Sequence, residues 1–215
     1  MQQKKVSKSV LKRLPGYLDY LKSLSENGPV HISATALANA LGMGEVQVRK
    51  DLAMVSDGGR PKIGYVRQAL IDDIEQFLGY DNTTDAVLLG AGKLGQALLD
   101  YKGFEEYGLN ILAAFDTAPK TEIAEGCKPI YHLDELEGFC RKHKVLMGII
   151  TVPGDYAQDV ADRLVGCGIK AIWNFAPARL DVPANILVQQ ENMATSLAVL
   201  SMHLQAQMKP KKEKE

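Results

Sequence analysis

Cysteine is scarce in this chain. Cys127, Cys140 and Cys167 are the three in 215 residues, and no two form a C-x-x-C pair. That usage excludes a disulfide framework and a thiolate metal site, and it fits reduced thiols in a cytoplasmic protein. No apolar run reaches the ~18 residues of a membrane span. The opening MQQKKVSKSV also lacks the apolar core of a signal peptide. A cytoplasmic chain with no membrane partner and no metal is therefore expected. Histidine is sparse too: His31, His132, His143 and His203. His143 sits in the charged run CRKHK, and no histidine stands at an expected strand end beside a cofactor. No Tyr-x-x-x-Lys pair is present. Hydride or proton transfer needs a positioned acid or base, so no catalytic residue is assigned, and binding without turnover is the better reading.

Net charge is −1, but its distribution is uneven. Residues 1–70 carry 11 Lys and Arg against 5 Asp and Glu, a net of +6, and residues 71–215 carry a net of −7. A basic front on an acidic body points to an anionic partner for the front part, nucleic acid first.

The hydrophobic pattern changes near residue 80. Before it the spacing is helical. Leu14, Leu18, Leu21 and Leu24 share a face, and Asn27-Gly28 ends that stretch. Ser33 is a candidate N-cap for a short helix ending at Gly42. A second helix, EVQVRKDLAMV, follows the turn Gly42-Met43-Gly44. SDGGRPKIGYV reads as a tight hairpin, and RQALIDDIEQFL as a helix stopped by Gly79. After residue 85, apolar runs at 86–89, 111–115, 145–152, 169–175 and 186–188 alternate with helical stretches such as 155–167. That alternation predicts an α/β unit with a parallel sheet covered on both faces. The final helical stretch, NMATSLAVLSMHLQAQM, is apolar all round, which suits its own domain or burial between subunits. KPKKEKE reads as a disordered tail. The expected domains are residues 1–80 (front), 81–84 (linker), 85–190 (α/β), 191–208 (final helix) and 209–215 (tail).

Gly90-Ala91-Gly92-Lys93-Leu94-Gly95 fits G-x-G-x-x-G between an expected strand and helix. Asp116 lies 21 residues past Gly95, near the spacing of an acid that holds a ribose. Gly90 would allow the turn, Gly92 would admit the pyrophosphate, and Gly95 would let helix and strand pack closely. Asp116 beside the ribose favours NAD(H) over NADP(H), with Lys120 near enough to blur that preference. The loops ITVPGD (150–155) and WNFAP (173–177) end strands and face the same crevice, making Thr151, Val152, Pro153, Asn174 and Phe175 further candidates. Trp173 reads as core.

Helix, helix, turn, helix, then a Gly-rich hairpin is the order of a winged helix-turn-helix. Val48, Leu52 and Val55 would face its core. Gln47, Arg49 and Lys50 would then lie outward on the recognition helix, with Arg60 and Lys62 on the wing. Arg pairs with guanine, Gln with adenine, and Lys mostly with phosphate. The alternative is a solvated helix in a protein-interaction domain. An NAD-dependent oxidoreductase with an accessory basic domain is the second reading for the whole chain.

Taken together, VRKDL (48–52), IGY (63–65), GAGKLGQAL with DYKGF (90–104), FD (115–116), TVP (151–153), GIKAIWNFAP (168–177) and EN (191–192) resemble the Rex family of redox-sensing transcriptional repressors. The resemblance runs from Leu14 to about His203. It implies a homodimer with a winged-helix and a Rossmann domain per subunit and a swapped C-terminal helix. It also implies a palindromic operator, repression when NADH is scarce and release when NADH binds. Tyr101 would stand near the nicotinamide end as sensor. Two positions depart from the family pattern: Asp19 replaces an arginine, and Ala194 an acid. In the resembling proteins the arginine and the acid belong to a charge pair and hydrogen bonds near the domain hinge, with the Tyr101 equivalent. Both partners change together, so drift within a subfamily is the preferred explanation.

Overall fold

The computed structural model describes residues 7–119 and 127–208. Lys120 and the tail from residue 209 lie outside them. The chain divides into two compact units at Asn82–Thr83.

The front unit contains α1 (Lys8–Ser23), β1 (His31–Ile32), α2 (Ala34–Leu41), α3 (Glu45–Val55), β2 (Tyr65–Val66) and α4 (Arg67–Leu78). Side-chain caps and glycines set the boundaries. The Ser33 hydroxyl accepts from the Ala36 N–H at 3.0 Å and starts α2. Gly42 and Gly79 end α2 and α4 in the left-handed region, at φ +63° and +75°. The α1 helix starts earlier than the leucine spacing indicates, at the Ser7 cap, and carries Pro15 inside it. Proline removes a backbone donor and crowds the preceding turn, an effect of about 3 kcal/mol in a helix interior. The buried face made by Val10, Leu14, Tyr17, Leu18 and Leu21 outweighs that local cost. Between α3 and β2 the chain folds back on itself: the Arg60 N–H donates to the Gly64 carbonyl and the Gly64 N–H to Arg60, both at 2.9 Å. Lys62 sits in this turn at φ +65°. Strands β1 and β2 pair antiparallel at the hairpin's base. Helices α1–α3 with this hairpin make a winged helix-turn-helix.

Val48 and Leu52 are buried on the inner side of α3, as is one carboxylate, Asp51. It accepts from Arg13 Nε at 2.7 Å and Nη2 at 2.8 Å, a bidentate pair, and from the Tyr17 hydroxyl at 2.8 Å. The network ties α1 to α3. Burial, then the hydrogen bond to Asp51, pushes the Tyr17 hydroxyl up to about 12.

The second unit contains β3 (Thr84–Leu89), α5 (Lys93–Leu99), a 3-10 turn (Lys102–Tyr107), β4 (Leu109–Asp116), β5 (Ile130–His132), α6 (Leu136–His143), β6 (Met147–Ile150), α7 (Ala157–Gly166), β7 (Ala171–Asn174), β8 (Leu187–Gln190) and α8 (Met193–Met208). Thr84, placed in the linker by the sequence, already pairs with Leu109. The sheet is six-stranded, in the order β5-β4-β3-β6-β7-β8, and each pair is parallel. It is doubly wound, with the order reversing between β3 and β6. Along β3, Val87 and Leu89 pack into the core with α6 and α7, whereas Ala86 and Leu88 pack into the cluster with Leu99 on the other face. Two covered faces explain why these strands read as continuous apolar runs. The sequence missed β5, a three-residue edge strand without such a run. On α8, Met193, Leu197, Leu200, Met202, Leu204 and Met208 are exposed.

Removing the Asp51 carboxylate leaves the Arg13 charge without its partner. Asp51→Ala should therefore destabilise the front unit by about 3–5 kcal/mol in urea unfolding followed by circular dichroism. Tyr17 gains affinity for its proton on folding, so its contribution is complete below the ordinary tyrosine value of 10.0 and lost as pH rises towards about 12. Stability of the wild type should fall across that window, and Tyr17→Phe should flatten the fall.

Candidate functional site

Three neighbours hold the glycine turn after β3. The Gly90 N–H donates to the Phe115 carbonyl at 2.8 Å. The Thr151 hydroxyl donates to the Gly90 carbonyl at 2.7 Å and reaches the Leu89 carbonyl at 3.1 Å. The Gln96 amide donates to the Ala91 carbonyl at 2.7 Å. The three glycines then differ in what a side chain would meet. At Gly95 a Cβ would lie 2.0 Å from the Gly90 carbonyl oxygen, so α5 packs on the turn through bare backbone. Gly90 has φ +99°, and its Cβ would strike Val152. At Gly92 nothing lies within 4 Å, so that backbone faces open space. Those are the three roles expected of a dinucleotide turn: conformation, access and close packing.

Asp116 ends β4 beside this turn. One carboxylate oxygen accepts from the Ala91 N–H at 2.7 Å and the other from the Ala118 N–H at 2.9 Å. The acid thus holds the glycine turn and also projects a negative charge at its side. A cleft of about 570 Å³ opens here, lined by Gly90, Gly92, Asp116, Thr151, Val152 and Pro153 among others. It lies at the carboxyl ends of β3, β4 and β6, the place where α/β sheets take ligands. Lys93 and Leu94 are exposed at the start of α5, and Ala91 is half-buried.

The cleft also draws on residues the sequence did not single out: Thr117, Leu133, Tyr156, Asp159, Val160 and Arg163. Arg163 pairs with Asp134 at 3.3 Å. For four of them the available signal was position, since Tyr156 follows the TVP loop just before α7, and Asp159, Val160 and Arg163 lie on α7. Conversely, Asn174, Phe175 and Tyr101 do not line the cleft. The buried Asn174 amide donates to the Ala178 carbonyl at 2.9 Å and to Gln190 Oε1 at 2.7 Å, and its oxygen accepts from the Ala176 N–H at 3.0 Å. That side chain braces the 174–178 loop against β8. Phe175 packs on Trp173, whose indole N–H donates to Glu191. Tyr101 is exposed, with its ring edge-to-face on Phe104. His132 precedes a helical turn, as the sequence indicates; it also ends β5, but it does not line the cleft, and its Nδ1 caps that turn by accepting from the Asp134 N–H. Cys140 and Cys167 are brought into contact, and burial, with Cys167 beside it, pushes Cys140 up to about 12. Among the described residues no group of His, Cys, Asp and Glu is arranged to hold a metal ion.

On the front unit, Gln47, Arg49 and Lys50 are exposed on α3, and Arg60 and Lys62 on the hairpin. Arg49, Arg60 and Lys62 border a groove with Ser33 and Thr35 at the start of α2. Arg49 forms an ion pair with Glu45 one turn earlier. Asp19 lies near Tyr80, whose hydroxyl is raised by burial and by that carboxylate. Ala194 is exposed on α8.

A winged helix presenting basic side chains, joined to a Rossmann unit with an open glycine turn, defines a nucleotide-responsive DNA-binding regulator. The family described as a CoA binding domain matches residues 81–178, and the putative DNA-binding protein N-terminus matches residues 5–53. The chain is 41% identical over 204 residues to the redox-sensing transcriptional repressor Rex of Treponema denticola, covering 94% of this chain and 96% of the relative. It is 40% identical to that of Bacteroides fragilis, covering 91% and 90%. A solved structure of RSP in complex with beta-NAD+ and operator DNA superposes with TM-score 0.86 at 35% identity, over 95% of this chain and 94% of that one. RSP in complex with beta-NADH gives 0.83, over 95% and 96%. The chain belongs to the Rex family of redox-sensing transcriptional repressors.

The glycines make a paired prediction. Gly92→Ala should leave the thermal midpoint nearly unchanged while weakening NADH at least about tenfold, ~1.4 kcal/mol, by titration calorimetry. Gly95→Ala should lower both stability and binding, because its Cβ has no room against the Gly90 carbonyl.

Proposed function

We propose that this chain is a cytoplasmic repressor that binds a palindromic operator as a homodimer and leaves it when NADH binds. The observation that carries the nucleotide half is the open backbone at Gly92 beside the Asp116 carboxylate. The pyrophosphate would lie against Gly90–Gly95, and Asp116 would accept from the adenosine ribose hydroxyls through its remaining lone pairs. Thr151, Val152 and Pro153 would wall the cleft. A 2′-phosphate would meet the Asp116 charge, so NADH is preferred to NADPH. By the family resemblance, Tyr101 stands at the nicotinamide end.

For the DNA half, Arg49 and Lys50 would meet base edges and phosphates in the major groove, with Arg60 and Lys62 on the backbone or minor groove. The exposed apolar α8 supplies a surface for a second copy, swapped as in the resembling proteins. Relatives are named as repressors, and RSP is described with operator DNA and with each oxidation state of the nucleotide. No described helix is long and apolar enough to cross a membrane. NADH can shift the equilibrium only by binding the DNA-competent and DNA-incompetent forms with different affinity. With Asp19 beside Tyr80 and alanine at 194, that difference must run through contacts other than an Asp19–Ala194 pair.

The decisive experiment is gel retardation of a palindromic duplex, titrated with NADH and then NAD⁺. Retardation that NADH abolishes and NAD⁺ does not supports the reading; a duplex that is never retarded rejects it. Arg49→Ala should weaken operator binding about tenfold or more and lower its salt dependence, with NADH affinity unchanged. Asp116→Asn keeps an acceptor for the Ala91 N–H but removes the charge. It should narrow the NADH-over-NADPH preference about tenfold, read by competitive fluorescence titration.

A further inference from the structure

The outer face of α3 is not polar throughout. Val46, the second residue of that helix, is 66% exposed. It shares its face with the exposed Arg49 and Lys50, three and four residues on, and is turned away from the buried Val48, Asp51 and Leu52. A valine at this place gains little from the fold of its own chain. It is β-branched and a weaker helix former than alanine, and its methyl groups face water. Glu45, the carboxylate beside it, is paired with Arg49, so the first turn of the helix does not set a bare negative charge against an anionic partner.

The N-terminal residues of a recognition helix are the ones that meet base edges in the major groove. Met54, the other large apolar side chain exposed on α3, lies in the last turn instead. Base edges in that groove present hydrogen-bond donors and acceptors and one apolar group, the 5-methyl of thymine. A valine side chain has neither donor nor acceptor and can match only the methyl. We propose that Val46 is a specificity-determining residue that packs on the 5-methyl group of one thymine in each half of the operator, so that the base at that position is selected by apolar contact and not by a hydrogen bond. This inference rests on the DNA-binding reading above and assigns the base chemistry of one contact within it.

The test begins with selection of a duplex by the full-length chain from a randomised palindromic library, without NADH. Each thymine of the selected half-site is then replaced in turn by deoxyuridine, in both halves together. Deoxyuridine lacks only the methyl group and keeps the O4 acceptor and the base pairing. At one position the wild type should lose about fourfold in affinity per half-site, the worth of one buried methyl group. Val46→Ala shortens an exposed side chain to a better helix former, so the thermal midpoint should not fall. This variant should bind the thymine duplex more weakly than the wild type does. At that same position it should bind thymine and deoxyuridine equally, while its response to deoxyuridine elsewhere stays as in the wild type. A general loss of affinity or stability does not erase discrimination at a single position. A wild type indifferent to deoxyuridine at every thymine, or a Val46→Ala variant that discriminates at each position as the wild type does, overturns the inference and leaves the DNA-binding reading standing. A wild type that binds no duplex overturns that reading, and this inference with it.

Discussion

The nucleotide unit depends on one close approach, that of Gly95 to the carbonyl of Gly90. Only a residue without a Cβ permits it, and it brings the start of α5 onto the end of β3. The Thr151 hydroxyl then reaches the same Gly90 carbonyl from the end of β6, and the Asp116 carboxylate takes the Ala91 N–H from the end of β4. Three strand ends are thereby locked around one turn, and the cleft is the space left beside them. Its polar groups are placed before any ligand arrives, which keeps the ordering cost of binding low.

The front unit follows a different logic. Its recognition helix is anchored by a buried carboxylate as well as by apolar packing: Asp51 sits beside Val48 and Leu52 on the inner side of α3 and draws Arg13 and Tyr17 from α1. An ion pair of this kind gains little net stability over apolar packing, because desolvation consumes most of the attraction. What it adds is direction. It fixes α3 against α1. The basic side chains of Arg60 and Lys62 sit instead on a tight exposed hairpin.

Much of this was legible in the sequence, and the exceptions have physical reasons. The glycine turn, the Ser33 cap and the Gly42 and Gly79 stops are local devices, written within a few residues of where they act, and Asp116 stood out by its spacing from the turn, which it reaches across 25 residues. Long apolar runs announced β3, β4, β6 and β7. Strand β5 has no such run, because an edge strand of three residues needs little apolar surface. The leucine spacing did not carry α1 back to Lys8, on the far side of Pro15, where packing of the buried face overrides a local preference. Asn174 stands at a strand end like a ligand contact, yet its amide is spent on Ala176, Ala178 and Gln190. Arg163 in the cleft and the Arg13–Asp51 pair were not legible at all: they depend on which elements meet, and a lone sequence does not state that.

The central claim is that one equilibrium links the cleft to the DNA-reading helices. Linkage is reciprocal: whatever factor NADH imposes on operator affinity, the operator must impose on NADH affinity. The most direct measurement is therefore the NADH dissociation constant of the dimer, free and saturated with its operator duplex, set against the operator dissociation constant with and without NADH. Coupling through one conformational equilibrium predicts that both ratios exceed unity and agree. Equal NADH affinity in the free and operator-bound protein would contradict it.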